Sequence, residues 1–475
     1  MPYFHTINFG CRASQADGAA LSEELNQRGF TESSNPDHSD LVVLNSCTVT
    51  ASADAELRQA ARRIHRDNPS AKILITGCYA QRSPGELSSL PGVRWIVGNS
   101  HKHQIGLLVV GECSPSIPHS DFLSVQNLQT AHEVPYHSLE SSIPESYLPA
   151  HPSAPQIIVG DIAQAKHFSA MPVMSISALD RTRPNFKIQD GCNSRCSFCI
   201  IPSVRGPSRS LSVDEILRQM NTLSDAGYKE VVLSGINLGC FGNDLPGKNS
   251  LPSLLRRILK ETSIARIRVS SVEPMDFTYE LLEVMASSSR IARHIHAPLQ
   301  SGSNRILRKM RRKYSAQGYC KRILAAFRLM PDAAFGADVM VGFPGETDQD
   351  FEETRQWIDS LPFTYLHVFP FSRRPGTPAD NMRGQVHGSV VHERSLILRD
   401  LVARKNLAFQ ARQVGKTHSI LTLNEFTANG TSALTGNYLK VFLSGERIPA
   451  NQLFTVKIKA LREFGLVAVP TPENN

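Results

Sequence analysis

The chain has 475 residues, of which 41% are hydrophobic and 20% charged, and it carries a net charge of +8. At roughly 150 residues per domain this length predicts about three domains, and the balanced composition excludes a largely disordered chain. No apolar run reaches the roughly 18 residues that a membrane-spanning helix needs. The first ten residues lack the pattern of a secretory signal, so we expect a cytoplasmic protein without membrane contact. Nine cysteines in a reducing compartment favour metal or cluster binding over disulfides.

The first 110 residues are predicted to form a parallel-sheet α/β domain. Short β-prone runs at residues 3–9, 41–45 and 72–76 alternate with helix-length segments at 14–28 and 51–66. Strand, helix, strand, helix, strand is the order that builds a parallel sheet.

A cysteine follows each of these three predicted strands, as Cys11, Cys47 and Cys78. The carboxyl ends of parallel strands share one edge of a sheet, so we expect the three thiols to meet in space. A single free cysteine is often only a small buried side chain, but three at one structural position favour a set of ligands. Three thiolates suit an iron–sulfur cluster with one open iron, or a zinc ion with an exchangeable fourth ligand.

Residues 111–177 are rich in Pro, Ser and His and show no hydrophobic periodicity. Such a composition does not build a packed core easily, so we predict a linker between domains. Cys113 and the histidines of this segment are irregularly spaced, which favours solvated side chains over metal ligands.

Residues 178–403 are predicted to contain a second cysteine site. A short strand at 186–189 leads into a loop with the spacing C-x3-C-x2-C, which lets three thiolates surround a compact cluster and leaves a fourth iron without a protein ligand. A zinc site would need a distant fourth ligand such as Cys240 or His296. Disulfide exchange would instead favour a single C-x-x-C pair. The cysteines of this loop are Cys192, Cys196 and Cys199.

The rest of this segment alternates strands and helices and predicts a partial (β/α)6 barrel. After the strand at 186–189, the predicted strands are 230–234, 266–270, 294–299, 337–341 and 365–371. The predicted helices are 212–226, 251–262, 279–287, 304–309, 317–329 and 349–360.

Residues near the carboxyl ends of barrel strands are candidates for the active site, because active sites of barrels lie on that face. They are candidates for cofactor or substrate contacts, or for ordinary capping of the strands. His294 and His296 share one face of their strand and are either core histidines or proton carriers. The strand-end candidates are Gly235, Glu273 and Gln300.

Taken together, these motifs resemble the radical S-adenosylmethionine (SAM) superfamily. The spacing C-x3-C-x2-C after the first barrel strand, with the aromatic Phe198 before the last cysteine, is typical of that superfamily. The three upstream cysteines add a similarity to its methylthiotransferases, although the first motif has Ser14 where that family usually has Asn. Further segments are similar to the branch that acts on threonylcarbamoyladenosine in tRNA, namely residues 181–192, 200–202, 205–210, 272–274, 294–303, 310–314 and 369–378.

The resemblance implies two [4Fe–4S] clusters and SAM as cofactors, with one cluster on each cysteine triplet. The open iron of the loop cluster would bind SAM, and one electron would yield methionine and a 5′-deoxyadenosyl radical that can take hydrogen from an aromatic carbon. The other cluster would carry a sulfur, which a second SAM methylates before its transfer to carbon 2 of adenine. The resemblance implies cofactor contacts from Phe198, Gly235, Glu273, Gln300 and Asp338.

The implied RNA partner is the anticodon loop of tRNA, and a net charge of +8 permits an anionic partner. The basic residues within 305–313 are either a solvated helix face or a phosphate contact. Residues 404–475 predict a small antiparallel β-barrel from runs at 418–423, 439–443, 452–460 and 465–469, and its place in the chain resembles the RNA-binding TRAM module. The candidate RNA contacts are Arg205, Arg209, Arg311, Arg312 and Lys313.

The implied reaction is methylthiolation of N6-threonylcarbamoyladenosine at position 37 of tRNA, next to the anticodon, with an electron donor such as flavodoxin or ferredoxin. Two alternatives share this chemistry and differ in the acceptor, which would be isopentenyladenosine in tRNA or an aspartate of a ribosomal protein. A third alternative, from another class, is a zinc-containing RNA-binding protein without catalysis.

Overall fold

A computed structural model describes residues 1–113, 154–165 and 182–471. Most of the predicted linker, the side chain of Cys113 and the last four residues lie outside the described part. The chain divides into two compact units, which are Met1–Ala165 with Ser203–Gly206, and Lys166–Pro202 with Pro207–Asn475. No helix in the described part has both the length and the apolar composition needed to cross a membrane.

The N-terminal unit is built on a six-stranded parallel sheet, which confirms the predicted fold class of this part of the chain. All residues of its central strand are buried, as expected for a parallel sheet with helices on both faces. The strand order is β2-β1-β3-β4-β5-β6. The strands are β1 (Tyr3–Asn8), β2 (Thr31–Glu32), β3 (Leu41–Ser46), β4 (Lys72–Gly77), β5 (Val93–Gly98) and β6 (Gln156–Ile158).

The helices of this unit follow the strands, as the alternating pattern predicts. Thr50 begins the second helix and its hydroxyl accepts a hydrogen bond from the amide of Ala53 at 3.3 Å, which satisfies one of the free amides of the first turn. The helices are α1 (Arg12–Gln27), α2 (Ala51–Asp67), α3 (Cys78–Arg82), α4 (Pro84–Ser88) and α5 (Ile105–Cys113).

The sheet extends beyond the three strands expected from the sequence. The strand β6 lies inside the segment predicted as a linker and pairs in parallel with β5, and α5 crosses the predicted boundary at residue 110. The strand β6 is only three residues long and lies between Pro155 and Gly160, a context typical of a loop. Its strand conformation depends on the neighbouring strand β5, which supplies the hydrogen-bonding partner.

The second unit contains six parallel strands alternating with helices, as predicted for the partial barrel. They form two sheets, β10-β9-β7 and β11-β12-β13, and a short antiparallel strand, β8, pairs with β7. A parallel bridge between Ile267 and Ile291 extends pairing from β10 toward the second sheet. The strands are β7 (Asn185–Asp190), β8 (Arg209–Ser210), β9 (Glu230–Gly235), β10 (Arg266–Val269), β11 (His294–His296), β12 (Ala334–Val341) and β13 (Tyr365–Pro370).

Helices pack against these strands and enclose a core of aliphatic and aromatic side chains. The helices are α6 (Ile201–Arg205), α7 (Val213–Asp225), α8 (Leu251–Glu261), α9 (Tyr279–Ser287), α10 (Asn304–Lys309), α11 (Ala316–Leu329), α12 (Asp348–Ser360) and α13 (Gly388–Ala411).

The C-terminal segment folds into a closed five-stranded barrel, which confirms the predicted small β-barrel. Two details differ from the prediction. The strand at Gly430–Thr435 was not expected, because its small and polar residues give no apolar alternation, and one strand pair, β16 with β18, is parallel. The strands are β14 (Thr417–Thr427), β15 (Gly430–Thr435), β16 (Lys440–Leu443), β17 (Leu453–Arg462) and β18 (Gly465–Pro470).

A buried ionic network joins the partial barrel to this C-terminal barrel. Glu230 accepts hydrogen bonds from Arg268 at 2.8 Å, Arg266 at 3.1 Å and Arg183 at 3.3 Å. Arg266 also donates to the backbone oxygen of Ser419 at 2.9 Å. Burial alone would raise the pKa of Glu230, but the nearby guanidinium groups more than offset burial and lower that pKa to about 2. The carboxylate therefore remains charged within the protein.

Glu230→Gln is expected to lower the free energy of unfolding by about 3–5 kcal/mol, because three guanidinium groups lose their buried anion. The contribution of Glu230 is complete above the ordinary carboxyl pKa of 4.5 and is lost as the pH falls from there toward about 2. Chemical denaturation at neutral pH and in steps below pH 4.5 measures both effects. The control Glu280→Gln removes an exposed pair with Arg256 and should cost much less. Equal losses in the two variants would contradict a special role for the network.

Candidate functional site

The first cysteine triplet lies along one edge of the N-terminal sheet. Cys11, Cys47 and Cys78 follow the adjacent parallel strands β1, β3 and β4. Gly10 and Gly77 precede two of these cysteines with φ angles of 95° and 98°, a conformation that other residues rarely adopt. A Cβ at Gly10 would lie 2.6 Å from Sγ of Cys47. Glycine is therefore required for the close approach of these chain segments.

Two thiols of this triplet are buried, and only Cys11 is exposed. Burial, and then the proximity of Cys78 and Cys11, raise the pKa of Cys47 to about 12. A thiol with such a pKa stays protonated at neutral pH unless a metal replaces its proton. The sulfur atoms are thus close enough to influence one another, in surroundings that favour the neutral thiol over a free thiolate.

Charged and polar side chains surround the first triplet. Asp17 accepts hydrogen bonds from Arg205 at 3.0 Å and from Lys102 at 3.1 Å. The hydroxyl of Ser14 lies 3.7 Å from Sγ of Cys11 and 3.5 Å from the Arg205 guanidinium. Ser14 therefore still provides a polar contact to the cysteine, although the methylthiotransferases that the sequence resembles usually have Asn at this position.

Arg205 is only 2% exposed, because it lies within the N-terminal unit and pairs with Asp17. The sequence placed this residue among the RNA contacts. A buried guanidinium paired with a carboxylate presents no surface to a phosphate, so the structure associates Arg205 with the first cysteine triplet instead. Local sequence gave no indication of a partner nearly two hundred residues away.

The second triplet lies on the loop after β7. Gly191, with φ of 71°, begins the turn that leads to Cys192. The buried side chain of Gln189 donates to the backbone oxygens of Asp190 at 2.9 Å and Gly191 at 2.8 Å, and accepts from the amide of Asn237 at 2.7 Å. Gln189 therefore positions the start of the cysteine loop. The local sequence gives no signal for this role, because β7 mixes polar and apolar residues throughout.

Arg312 contacts the second triplet directly. It donates a hydrogen bond to Sγ of Cys196 at 3.2 Å and pairs with Glu273. Burial raises the pKa of Cys196 and of Glu273, and in both cases the positive charge of Arg312 opposes that increase. The side chain of Arg312 is 7% exposed. The sequence predicted a surface contact for RNA at this position, but the structure makes Arg312 a buried neighbour of the cysteine loop. Burial also raises the pKa of Cys199 to about 12.

Neither triplet has the compact spacing of a zinc site. In the described part of the chain, no three cysteine sulfurs all lie within 4.8 Å of one another. Tetrahedral zinc with Zn–S bonds of about 2.3 Å needs sulfurs about 3.8 Å apart. Cys240 lies near the second triplet, and burial, followed by the charges of Asp276 and Cys192, raises its pKa to about 11. The sulfurs within each triplet are therefore spaced more widely than a single zinc ion requires, and this spacing suits a multi-iron group better.

The other predicted cofactor contacts also belong to the second unit. Gly235 is the last residue of β9, and Phe198 packs edge-on against Phe343 with ring centroids 6.4 Å apart. Gln300 has a φ of 63° and its side-chain oxygen is buried without a hydrogen-bond partner among the described residues. Such strain and such an unsatisfied oxygen are typical of ligand sites. Asp338 lies on β12 with a carboxylate oxygen 3.4 Å from Nε2 of His296.

Two of the five predicted RNA contacts are exposed. Arg311 and Lys313 present their side chains to solvent just after α10. Arg209 is 9% exposed and lies on the short strand β8, so it joins Arg205 and Arg312 among the buried arginines. Their order in the sequence does not distinguish exposed from buried arginines, because that difference depends on the packing around each residue.

Comparison with known protein families identifies two segments. Residues 186–358 match the model described as the radical SAM superfamily, and residues 3–98 match the uncharacterized protein family UPF0004. The first match begins at β7 and includes the second cysteine triplet. The second match covers β1 to β5 and includes all three cysteines of the first triplet.

The chain is similar over nearly its full length to curated tRNA-modifying enzymes. It is 34% identical to threonylcarbamoyladenosine tRNA methylthiotransferase MtaB of Bacillus subtilis (strain 168), over 96% of this chain and 93% of the relative. The namesake from Aquifex aeolicus (strain VF5) is also 34% identical, over 93% and 96%. The tRNA-2-methylthio-N(6)-dimethylallyladenosine synthase of Ehrlichia canis (strain Jake) is 30% identical, over 87% and 86%.

Among solved structures, the radical SAM methyltransferase TsrM from Kitasatospora setae, with cobalamin and a [4Fe–4S] cluster bound, has a TM-score of 0.54 and 15% identity. The alignment covers 80% of this chain and 76% of TsrM. At this level of identity the likeness concerns the fold alone.

Proposed function

Because this chain belongs to the tRNA methylthiotransferases of the radical SAM superfamily, we propose that it methylthiolates carbon 2 of N6-threonylcarbamoyladenosine at position 37 of tRNA. The observation that carries this proposal is the 34% identity, across nearly the whole chain, to enzymes named for that nucleoside. The two cysteine triplets support it, since each follows a strand end in a separate compact unit.

The proposed cofactor of the second triplet is a [4Fe–4S] cluster held by Cys192, Cys196 and Cys199, with SAM beside it. When bound, these groups supply a 5′-deoxyadenosyl radical that removes a hydrogen atom from an unactivated carbon. The donor set fits a cluster, because the loop presents three partly buried thiols, and the positive charge of Arg312 opposes the rise that burial causes in the pKa of Cys196. Arg312 donates a hydrogen bond to a cysteine sulfur, and Gln189 holds the start of the loop.

Five residues are proposed to contact the cofactor at this site. Gln300 fits a ligand contact because its buried side-chain oxygen has no hydrogen-bond partner among the described residues. Glu273 is held by Arg312 beside the cysteine loop. The full set is Phe198, Gly235, Glu273, Gln300 and Asp338.

We further propose that Cys11, Cys47 and Cys78 hold a second [4Fe–4S] cluster, which provides the sulfur of the methylthio group. Cys78 and Cys11 lie close enough to Cys47 to raise its pKa, which supports a shared ligand set at this position. Arg205 is buried and lies near Cys47, so its guanidinium would offset part of the negative charge that three thiolates bring. The domains proposed for these roles are 1–110 for this cluster, 178–403 for the radical chemistry and 404–475 for RNA binding, with 111–177 as the linker.

The proposed RNA partner is the anticodon loop of tRNA. Arg311 and Lys313 are exposed cations suited to phosphate contacts. The C-terminal barrel is a further candidate, in keeping with the position of the TRAM module. A reduced electron-transfer protein such as flavodoxin or ferredoxin would supply electrons, and the need for reduced thiols suits the cytoplasm.

Mass spectrometry of tRNA nucleosides from cells with and without this chain tests the proposed function. We expect 2-methylthio-N6-threonylcarbamoyladenosine only when the chain is present. A matched strain that produces the variant with Cys192, Cys196 and Cys199 all replaced by alanine should lack the product. An unchanged threonylcarbamoyladenosine pool in the presence of the wild-type chain would contradict the proposal.

A second candidate substrate is the dimethylallyl form of adenosine, favoured by the 30% identity to an enzyme named for it. The same nucleoside measurement separates the two, because the methylthio group would then appear on the dimethylallyl nucleoside. Metal analysis separates both enzymes from the zinc-containing RNA-binding protein. That alternative requires zinc without acid-labile sulfide.

A further inference from the structure

A third group of potential metal ligands lies on the strands of the second unit and shares no residue with either cysteine triplet, although one member, Asp338, is also among the proposed cofactor contacts. His296, Asp338 and His367 belong to the adjacent strands β11, β12 and β13. Asp338 is paired with His367, and His296 is paired with Gly336, two residues before Asp338. Because side chains alternate along a strand, all three project from the same face of the sheet.

The three side chains converge closely. One ligand atom from each lies within 4.8 Å of the other two, and in the described part of the chain no other group of His, Cys, Asp or Glu meets that distance. Nε2 of His296 and a carboxylate oxygen of Asp338 are 3.4 Å apart. The local sequence does not group His296, Asp338 and His367, because only strand pairing brings the three together.

The imidazole of His296 is held in a fixed orientation. Its Nδ1 hydrogen-bonds with the hydroxyl of Ser271, and its ring stacks on Tyr365 with centroids 5.8 Å apart. The side chain is nine-tenths buried, and Nε2 has no hydrogen-bond partner among the described residues. A histidine whose second nitrogen is oriented by a hydrogen bond is the usual arrangement of a metal ligand.

The 3.4 Å separation between Nε2 of His296 and the Asp338 carboxylate matches the spacing of ligands around a metal. Metal–ligand bonds of about 2.1 Å at tetrahedral angles place neighbouring ligand atoms about 3.4 Å apart. Two imidazole nitrogens and one carboxylate oxygen form a ligand set that suits divalent ions such as Zn²⁺ and Fe²⁺. The donor types and the measured spacing therefore point to the same kind of ligand.

We propose that His296, Asp338 and His367 bind a divalent first-row metal ion, separate from the two iron–sulfur clusters. His367 is exposed and the Asp338 side chain is 27% exposed, so solvent reaches the site and the ion can enter. With three protein ligands, at least one coordination position stays open for an oxygen or nitrogen donor. This proposal concerns the ligand set alone and does not depend on which nucleoside the enzyme modifies.

The test uses the full chain, loaded with its clusters under anaerobic conditions, and Zn²⁺ as the probe. After incubation with zinc and removal of the unbound ion, metal analysis should find about one more zinc per wild-type chain than in Asp338→Asn or His367→Ala. Zinc bound by stray cysteines does not affect this difference, because both variants keep every cysteine. His392→Ala, a change on the exposed surface of α13, is the matched control and should bind zinc like the wild type.

Thermal unfolding with and without zinc gives a second readout. Zinc should raise the unfolding temperature of the wild type and of His392→Ala, because a ligand stabilises the state that binds it, and should have no such effect on the two ligand variants. His367 is exposed, so His367→Ala is expected to fold. Equal zinc content in all four proteins, or no zinc on the wild type, would overturn the proposal and leave the three residues as polar contacts for another ligand.

Discussion

Replacing Cys192, Cys196 and Cys199 together by alanine is expected to remove about half of the iron and to abolish formation of 5′-deoxyadenosine from SAM. The physical reason is that these three thiols are the proposed protein ligands of the loop cluster, and alanine has no atom that can bind iron. Iron and sulfide analysis, together with chromatography of the SAM products under reducing conditions, measures both effects. Nucleoside analysis should find no methylthio product.

Cys320→Ala is the matched control for this experiment. Cys320 lies on α11 and is partly exposed, and the proposed sites do not include it. The control should keep the full iron content and normal SAM cleavage. If the triple variant still cleaved SAM reductively, the radical cluster would have to be placed elsewhere in the chain.

Replacing Cys11, Cys47 and Cys78 by alanine should have a different outcome. This variant is also expected to lose about half of the iron, but it should still produce 5′-deoxyadenosine, because the loop cysteines belong to the other compact unit. The methylthio product should disappear, since the proposed source of the sulfur is gone. The two measurements together therefore distinguish radical formation from sulfur transfer.

Gly29→Ala is a suitable control for the same unit, because Gly29 also has a positive φ but meets no neighbouring atom within 4 Å. It adds backbone strain near the end of α1 without removing a thiol, so iron content and product should be retained.

Continued methylthiolation by the variant without the first triplet would contradict a sulfur-donating role. Loss of SAM cleavage in that variant would contradict the division of roles between the triplets.

Local sequence patterns predicted much of the fold because parallel α/β structures repeat a simple order of strand and helix. The strand Leu41–Ser46 is one example. It begins with four consecutive apolar residues, a pattern that indicates a central parallel strand, and all six of its residues are buried. By contrast, β6 has only three residues between Pro155 and Gly160, and its strand conformation depends on pairing with β5. The strand Gly430–Thr435 was missed for a similar reason, since its pattern is not apolar.

The candidate site was predictable where ligands are close in the chain or follow equivalent strands. Partners of the arginines were not predictable in this way. Arg205 pairs with Asp17 and Arg312 contacts Cys196, contacts that span more than a hundred residues. Both side chains were predicted to face RNA, and packing buries them.

The sequence by itself determined the alternation of strands and helices in the α/β parts, the small C-terminal β-barrel, the positions of the two cysteine triplets and their similarity to radical SAM methylthiotransferases. Those features depend on residue spacing and on the short-range alternation of strands and helices. Tertiary structure alone decided which arginines are buried, how Gln189 holds the cysteine loop, and that His296, Asp338 and His367 converge. These contacts join strands and loops that are distant in sequence, so they depend on strand register and side-chain packing, which the local pattern does not encode.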